Sequence, residues 1–212
     1  MTARPLLLLG AGGLARETLA VIRVLPEAWR PIGVLDDDPA RHGSDVDGVP
    51  VLGPTDLVHD HPDAAVVPCV ASPHRPAARL RLTDRLRLPA ERWASIVHPG
   101  ASIADGTVLG EGAIVLAGVV VTAPITVGRF LMAMPHVLLT HDDEVRDGVT
   151  LAGRATLAGG VRVGRGAYVG QGALVREQVV IGDEAVIGMG SVVLADVPDG
   201  QTWAGVPARK LR

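Results

Sequence analysis

The sequence predicts two architectures in tandem: a small α/β unit over residues 1–94, then an all-β parallel β-helix over residues 95–212. Three observations carry this expectation. Apolar strand-like runs alternate with helix-like stretches as far as Ala94 and then stop. From Val97 to Pro198 the chain divides into seventeen consecutive six-residue units without an insertion, and sixteen of them begin with Val, Ile or Leu, Ala133 being the exception. Aromatic residues make up only 2% of the chain while it holds 26 glycines, so its interior must be built from thin stacked layers.

In the α/β unit, "LLLLG" reads as a first strand and the stretch from the glycine turn to Leu25 as a helix. "PIGVLDDD" follows as a second strand, "PTDLVHDH" as a helix, "AAVVPCV" as a third strand and "HRPAARLRLTDRLR" as an Arg-rich helix. "LPAERWAS" is the linker. The turn "GAGGLARE" gives Gly10, Gly12 and Ala15 the G-x-G-x-x-A spacing, and Asp36 stands at the end of the second strand, as in a dinucleotide fingerprint. Fewer than a hundred residues precede the repeats, room for one mononucleotide half, and nothing later resembles a hydride-transfer site. A nucleotide-sugar site therefore fits better than NAD. On that reading the glycine turn approaches phosphates at a helix N-terminus, and Asp36 and Asp37 are candidates for hydrogen bonds to the base or ribose. The alternative for "DDD" is a solvated strand end that caps the next turn.

In the repeats the first and fifth positions point inward and the others outward. Clear units are "VGRGAY", "VGQGAL", "IGDEAV" and "IGMGSV". The unit "LTHDDE" breaks the pattern. His141 and Asp142 fall on the outward third and fourth positions, and Asp143 is the only charged residue at any fifth position. The local strand is therefore expected to bend or shift, an irregularity that suits a functional site.

Composition excludes several classes. A net charge of −3 with scattered arginines gives no footprint for nucleic acid or an anionic membrane. The single cysteine, Cys69, forms no internal disulfide. No apolar run reaches the roughly 18 residues of a membrane span, and "PLLLLGAGG" reads as a strand rather than a signal peptide. A cytoplasmic location is expected.

The six-residue frame resembles the hexapeptide-repeat acyltransferases, whose units form a left-handed parallel β-helix with three units to a coil. The closing "WAGVPARKLR" matches the "G-V-P-A-[KR]" tail common in that group. The order of "GAGGLARE", "LDDD", "THDDE" and "GVPA" narrows the likeness to sialic-acid O-acetyltransferases and UDP-4-amino-sugar N-acetyltransferases of the NeuD/PglD type. The resemblance implies an acetyl-CoA-dependent transferase of an amino or hydroxy sugar, nucleotide-linked, acting without a metal, as a homotrimer with sites between solenoids. It makes His141 the general base, because an imidazole with a pKa of about 6.5 is neutral and still basic near pH 7. Asp142 would orient it, with Asp143 or Glu144 as the other candidates. Gly159, eighteen residues on, would offer its N–H to the oxyanion, or be an ordinary turn glycine.

The resemblance further assigns Gly10, Gly12, Gly13, Leu14, Asp36 and Asp37 to the acceptor, and Gly159, Ala173, Gly188, Val206 and Arg209 to coenzyme A. Leu14 takes the place where many members carry a histidine. Trp203 either serves the cofactor or caps the open end of the solenoid. For the trimer, Leu116, Met132, Met134 and Leu138 are expected to form an outward apolar face. Two other readings were weighed: a noncatalytic sugar-nucleotide scaffold, and a γ-type carbonic anhydrase using His136 and His141. The second lacks a histidine near Gly100, and the first gives an outward imidazole beside a carboxylate no use.

Overall fold

The computed structural model describes residues 3–211. Strand β1 (Arg4–Leu9) leads through the glycine turn into helix α1 (Gly13–Arg23), then β2 (Trp29–Leu35), the short hairpin of β3 (Asp45–Val46) and β4 (Val49–Gly53), β5 (Ala65–Pro68) and helix α2 (Ala78–Leu86). The strands form one sheet in the order β3-β4-β2-β1-β5. All neighbours are parallel except the β3–β4 pair. That hairpin was not anticipated, although Asp47 and Gly48, both at positive φ, make a two-residue turn between valines. The helix expected over "PTDLVHDH" is instead a 3-10 segment, Thr55–Asp60.

Leu6, Leu7, Leu8 and Leu9 are all fully buried because β1 lies in the middle of the sheet, covered on both faces. Leu6 and Leu8 face α1, and Leu7 and Leu9 face Leu80, Leu86 and Trp93.

From Ile96 onward, two-residue strands stack into three parallel sheets. The first face carries Ile96–Val97, Ile114–Val115, Met132–Ala133, Thr150–Leu151, Tyr168–Val169 and Val186–Ile187. The second carries Ser102–Ile103, Val120–Val121, Leu138–Leu139, Thr156–Leu157, Leu174–Val175 and Val192–Val193. The third carries Val108–Leu109, Thr126–Val127, Glu144–Val145, Arg162–Val163 and Val180–Ile181. Partners in register lie eighteen residues apart, as Val121 and Leu139 do, so three units make one coil. First- and fifth-position side chains form a continuous interior core, for example Val121, Leu139 and Leu157 alongside Val119, Val137 and Ala155. At the far end a hairpin of Thr202–Gly205 and Ala208–Lys210 extends the first face, and Trp203 packs against that core.

The α/β part is not loosely tethered. Helix α1 packs beside the first face, its Ala15, Leu19 and Ile22 sharing one buried cluster with the outward residues Ile96, Ile114, Leu116 and Met132. This corrects the expectation of an intermolecular apolar face there. Leu116 and Met132 are buried, and Met134 half-buried, by the chain's own N-terminal part. The "LPAERWAS" stretch is likewise packed: Arg92 and Trp93 are buried, and Trp93 meets Phe130 edge-on at 5.1 Å between ring centroids. No helix among the described residues is long and apolar enough to cross a membrane.

A second lock is Arg79 of α2, 2% exposed and without a carboxylate partner. Its guanidinium donates to Val70 O (2.7 Å), Phe130 O (2.9 Å), Gly148 O (3.1 Å), Val149 O (3.0 Å) and Thr150 Oγ1 (2.9 Å). Burial pulls its pKa down to about 10, and it remains charged at neutral pH. Five oxygen acceptors replace the water that a buried cation has lost. They tie the loop after β5 to two successive solenoid turns.

Candidate active site

His141 stands on the turn between the second and third faces, where its strand-flanking position projects it from the coil. Its side chain is 69% exposed. Nδ1 lies 2.8 Å from Asp142 Oδ2. An ionised carboxylate only accepts, so the proton of a neutral imidazole sits on Nδ1 and the lone pair on Nε2 faces outward. Asp142 reaches this contact from a left-handed backbone (φ 63°), a conformation that Asp tolerates and that Gly160 adopts in the next coil. Among the three carboxylates considered, Asp142 therefore makes the contact. Asp143 points into the coil, and Glu144 stands outward on the third face.

The imidazole lies across Gly159. A Cβ built on that glycine would fall 2.6 Å from His141 Nε2 and closer still to Cε1, so any side chain there displaces the ring. The Gly159 N–H has no hydrogen-bond partner among the described residues, while its carbonyl accepts from Gln178 N and Gly160 N–H donates to His141 O. An imidazole and a free backbone donor from the next coil thus lie against each other.

The anticipated irregularity is confined to the ladder, where Leu138–Thr156 and Val127–Val145 pair through single registers. Asp143 is accommodated inside the coil, 3% exposed, and Glu144 and Val145 pair regularly with Arg162 and Val163. The frame absorbs the carboxylate because two backbone amides, of Thr140 and Val161, donate to it at 2.7 and 2.9 Å.

In the α/β part, Gly10 adopts φ 99° and its missing Cβ leaves room for Cys69 O and Val70. Gly12 caps α1 without a side-chain bond, and Gly12 and Gly13 have open space around them. Leu14 is half-buried against the α1 cluster, as is Met134. Asp36 accepts from Ala11 N at 2.6 Å and from Asp38 N at 2.9 Å, so it shapes the glycine turn. Asp37 accepts from Thr55 N, Thr55 Oγ1 and Arg85. Burial alone would raise its pKa, but these bonds outweigh burial and hold it below the usual carboxylate range. Asp38 caps the next turn through Ala40 N. All three aspartates of "DDD" therefore have structural work, and Asp37 is turned away from the glycine turn by its own partners.

At the C-terminal end, Ala173 is a correction. It is a fully buried core residue whose N–H and carbonyl are both engaged, with Gly170 O and Thr156 N, so it offers no group to a cofactor. Gly188 packs under Ala204, where a Cβ would fall 2.7 Å from the alanine methyl. Val206 is 74% exposed, and Arg209 folds back on Ala208 O. His136 lies flat over Gly118, on the turn between the first and second faces, and does not converge with His141. A concavity of about 460 Å³ on the third face, lined by Thr126, Glu144, Arg146, Asp147, Arg165 and Asp183, is charged and excludes His141. The imidazole is thus a surface group of the single chain.

No protein-family model matches the sequence, and no curated protein is significantly similar to it. Solved structures are similar over the whole chain. Perosamine N-acetyltransferase from Caulobacter crescentus, solved as a histidine variant with CoA and GDP-perosamine, is 28% identical, with a TM-score of 0.85 over 97% of this chain and 96% of that one. The acetyltransferase domain of PglB from Neisseria gonorrhoeae is also 28% identical, with a TM-score of 0.85 over 98% of this chain and all of that one. WeeI from Acinetobacter baumannii is 25% identical, with a TM-score of 0.82 over 99% and 100%. From end to end, the chain resembles the hexapeptide-repeat sugar acetyltransferases in architecture.

Proposed function

We propose that the protein transfers the acetyl group of acetyl-CoA to an amino group of a nucleotide-linked sugar. The observation that carries this is the Asp142–His141 pair lying over Gly159 of the next coil, within a chain similar throughout to an N-acetyltransferase solved with CoA and GDP-perosamine. Nε2 of His141 takes a proton from the acceptor amine as its nitrogen bonds to the thioester carbon. The carbonyl oxygen becomes an oxyanion, which the Gly159 N–H stabilises by a few kcal/mol. Collapse breaks the carbon–sulfur bond, and the imidazolium returns its proton to the thiolate, giving the amide and free coenzyme A. Asp142 holds the ring in the required tautomer and stabilises its charged form.

On this reading residues 1–94 form a Rossmann-like acceptor domain and residues 95–212 a left-handed β-helix. Gly10, Gly12, Gly13 and Leu14 meet the acceptor, with Asp36 shaping the turn. Gly188, Val206 and Arg209 lie along the coenzyme A path. The protein works in the cytoplasm, where nucleotide sugars and acetyl-CoA are available.

We further propose a homotrimer. The reading is supported by the exposure of His141 and Asp142, 69% and 83%, which leaves room for a neighbouring chain to complete the site. The second face presents Val120, Leu138, Leu174 and Val192 in one outward column, with Leu174 49% exposed.

The test is thiol release from acetyl-CoA against GDP-, UDP- and dTDP-linked amino sugars and sialic acids. Release with one nucleotide-linked amino sugar is expected. Release only with hydroxyl acceptors, or with none of the panel, would sink the amine assignment.

A further inference from the structure

The interior of the solenoid holds one charge that the reaction above does not use. Asp143 occupies the fifth-position column between Ile125 and Val161, in an otherwise apolar core. Its Oδ2 accepts from Thr140 N–H and its Oδ1 from Val161 N–H. Neither amide needs a carboxylate. In neighbouring coils Thr122 N and Ala158 N donate to Leu139 O and Val175 O, and Thr107 N and Val179 N donate to Ala104 O and Arg176 O. Asp143 has therefore rerouted amides that the repeat satisfies elsewhere by itself.

The ladder is also thinner on both sides of the turn. Leu138 pairs with Thr156, and Val127 with Val145, through single registers, where the other stacked strands of the three faces pair through two. Thr140 directly precedes His141, and Val161 directly follows Gly159 and Gly160. One buried carboxylate thus joins the turn that carries the imidazole to the turn that carries the free amide. The titratable groups facing it, His141 and Asp142, belong to its own turn, and the residues above and below it in the column are aliphatic.

We propose that Asp143 is a positioning residue that fixes the His141 turn over the Gly159 turn, setting the distance between base and oxyanion donor at a cost in stability. This rests on the assignment of His141 and Gly159 above. An aliphatic side chain at this position would fit the frame and spare the burial of a carboxylate. A group that opposes packing beside reactive residues is the usual mark of activity maintained against stability.

The experiment compares Asp143→Val, Asp143→Asn and His141→Ala in the full-length protein, by thiol release with the best acceptor and by thermal melting. Asp143→Val restores the repeat pattern. It is expected to melt no lower than wild type and to keep its KM for acetyl-CoA, while kcat falls roughly 10-fold or more through lost alignment. Asp143→Asn, which keeps one acceptor oxygen, should fall between. Wild-type kcat in Asp143→Val overturns the proposal, as does a kcat loss that merely follows a lower melting temperature. Retained turnover in His141→Ala overturns the base assignment itself; its loss alongside a normal Asp143→Val overturns only the positioning role.

Discussion

The imidazole of His141 rests where the side chain of residue 159 would be, and this steric fact gives a sharp expectation. Gly159→Ala must push the ring off the coil, so kcat should fall by roughly 10²-fold, the usual worth of a placed general base, while the melting temperature hardly moves because the ring is exposed. Activity near wild type would show that the ring works from another position. Asp143 makes a prediction about pH. Burial raises its carboxyl from 3.8 to about 6, against amide bonds from Thr140 and Val161. The folded state therefore holds this proton more tightly than the unfolded one. The stabilisation is complete below about pH 3.8 and is lost as the pH rises through about 6. Asp143→Val lacks the group, so its stability relative to wild type should grow between pH 4 and pH 7, by roughly 3 kcal/mol at most. Denaturation at the two pH values measures this, and a difference that does not grow with pH contradicts it. At this scale the sequence was legible where a residue broke the repeat: His141, Asp142 and Asp143 stand out from the frame by themselves, whereas the roles given to His141 and Asp142, and the choice of Gly159, came only with the family resemblance. Ala173 was misjudged because its fifth-position register, which the same frame specifies, points it inward.

Among the elements, α2 holds the two parts of the chain together. A Cβ on Gly148 would overlap Leu80, falling 2.6 Å from Leu80 Cδ1, so the helix sits directly on that turn. Replacing Arg79 with Met should cost about 3 kcal/mol or more, because four carbonyls and a hydroxyl lose their donor inside the fold. Urea denaturation would detect this. An unchanged midpoint would mean that water enters and replaces the guanidinium. This lock was not legible in advance. The stretch "HRPAARLRLTDRLR" offers five arginines of equal standing, and only the docked geometry shows which one loses solvent. The stacked strands were legible because inward and outward positions alternate on a fixed period. The β3–β4 hairpin carried a usable signal in Val46-Asp47-Gly48-Val49, too short to stand out beside the longer apolar runs.

For the whole molecule, three of the four outward apolar residues expected to meet a neighbour, Leu116, Met132 and Met134, are covered by the chain's own N-terminal part, while Leu138 stands on the second face. Periodicity identified Leu116, Met132 and Met134 as outward, yet it carries no information about which face α1 covers. The second face, with Val120, Leu138, Leu174 and Val192 in its outward column, is the one the proposed trimer would use. Light scattering should give about three times the 22.0 kDa chain mass, and Leu174→Glu should lower that mass together with activity. A fully active monomer would exclude a site shared between chains. The central claim, acetyl transfer through the imidazole of His141 to a nucleotide-linked amino sugar, is tested most directly by the kcat of His141→Ala with the acceptor that wild type uses best. The account predicts a fall of roughly 10²-fold or more, with melting temperature and acetyl-CoA affinity unchanged; turnover within a few-fold of wild type would contradict it.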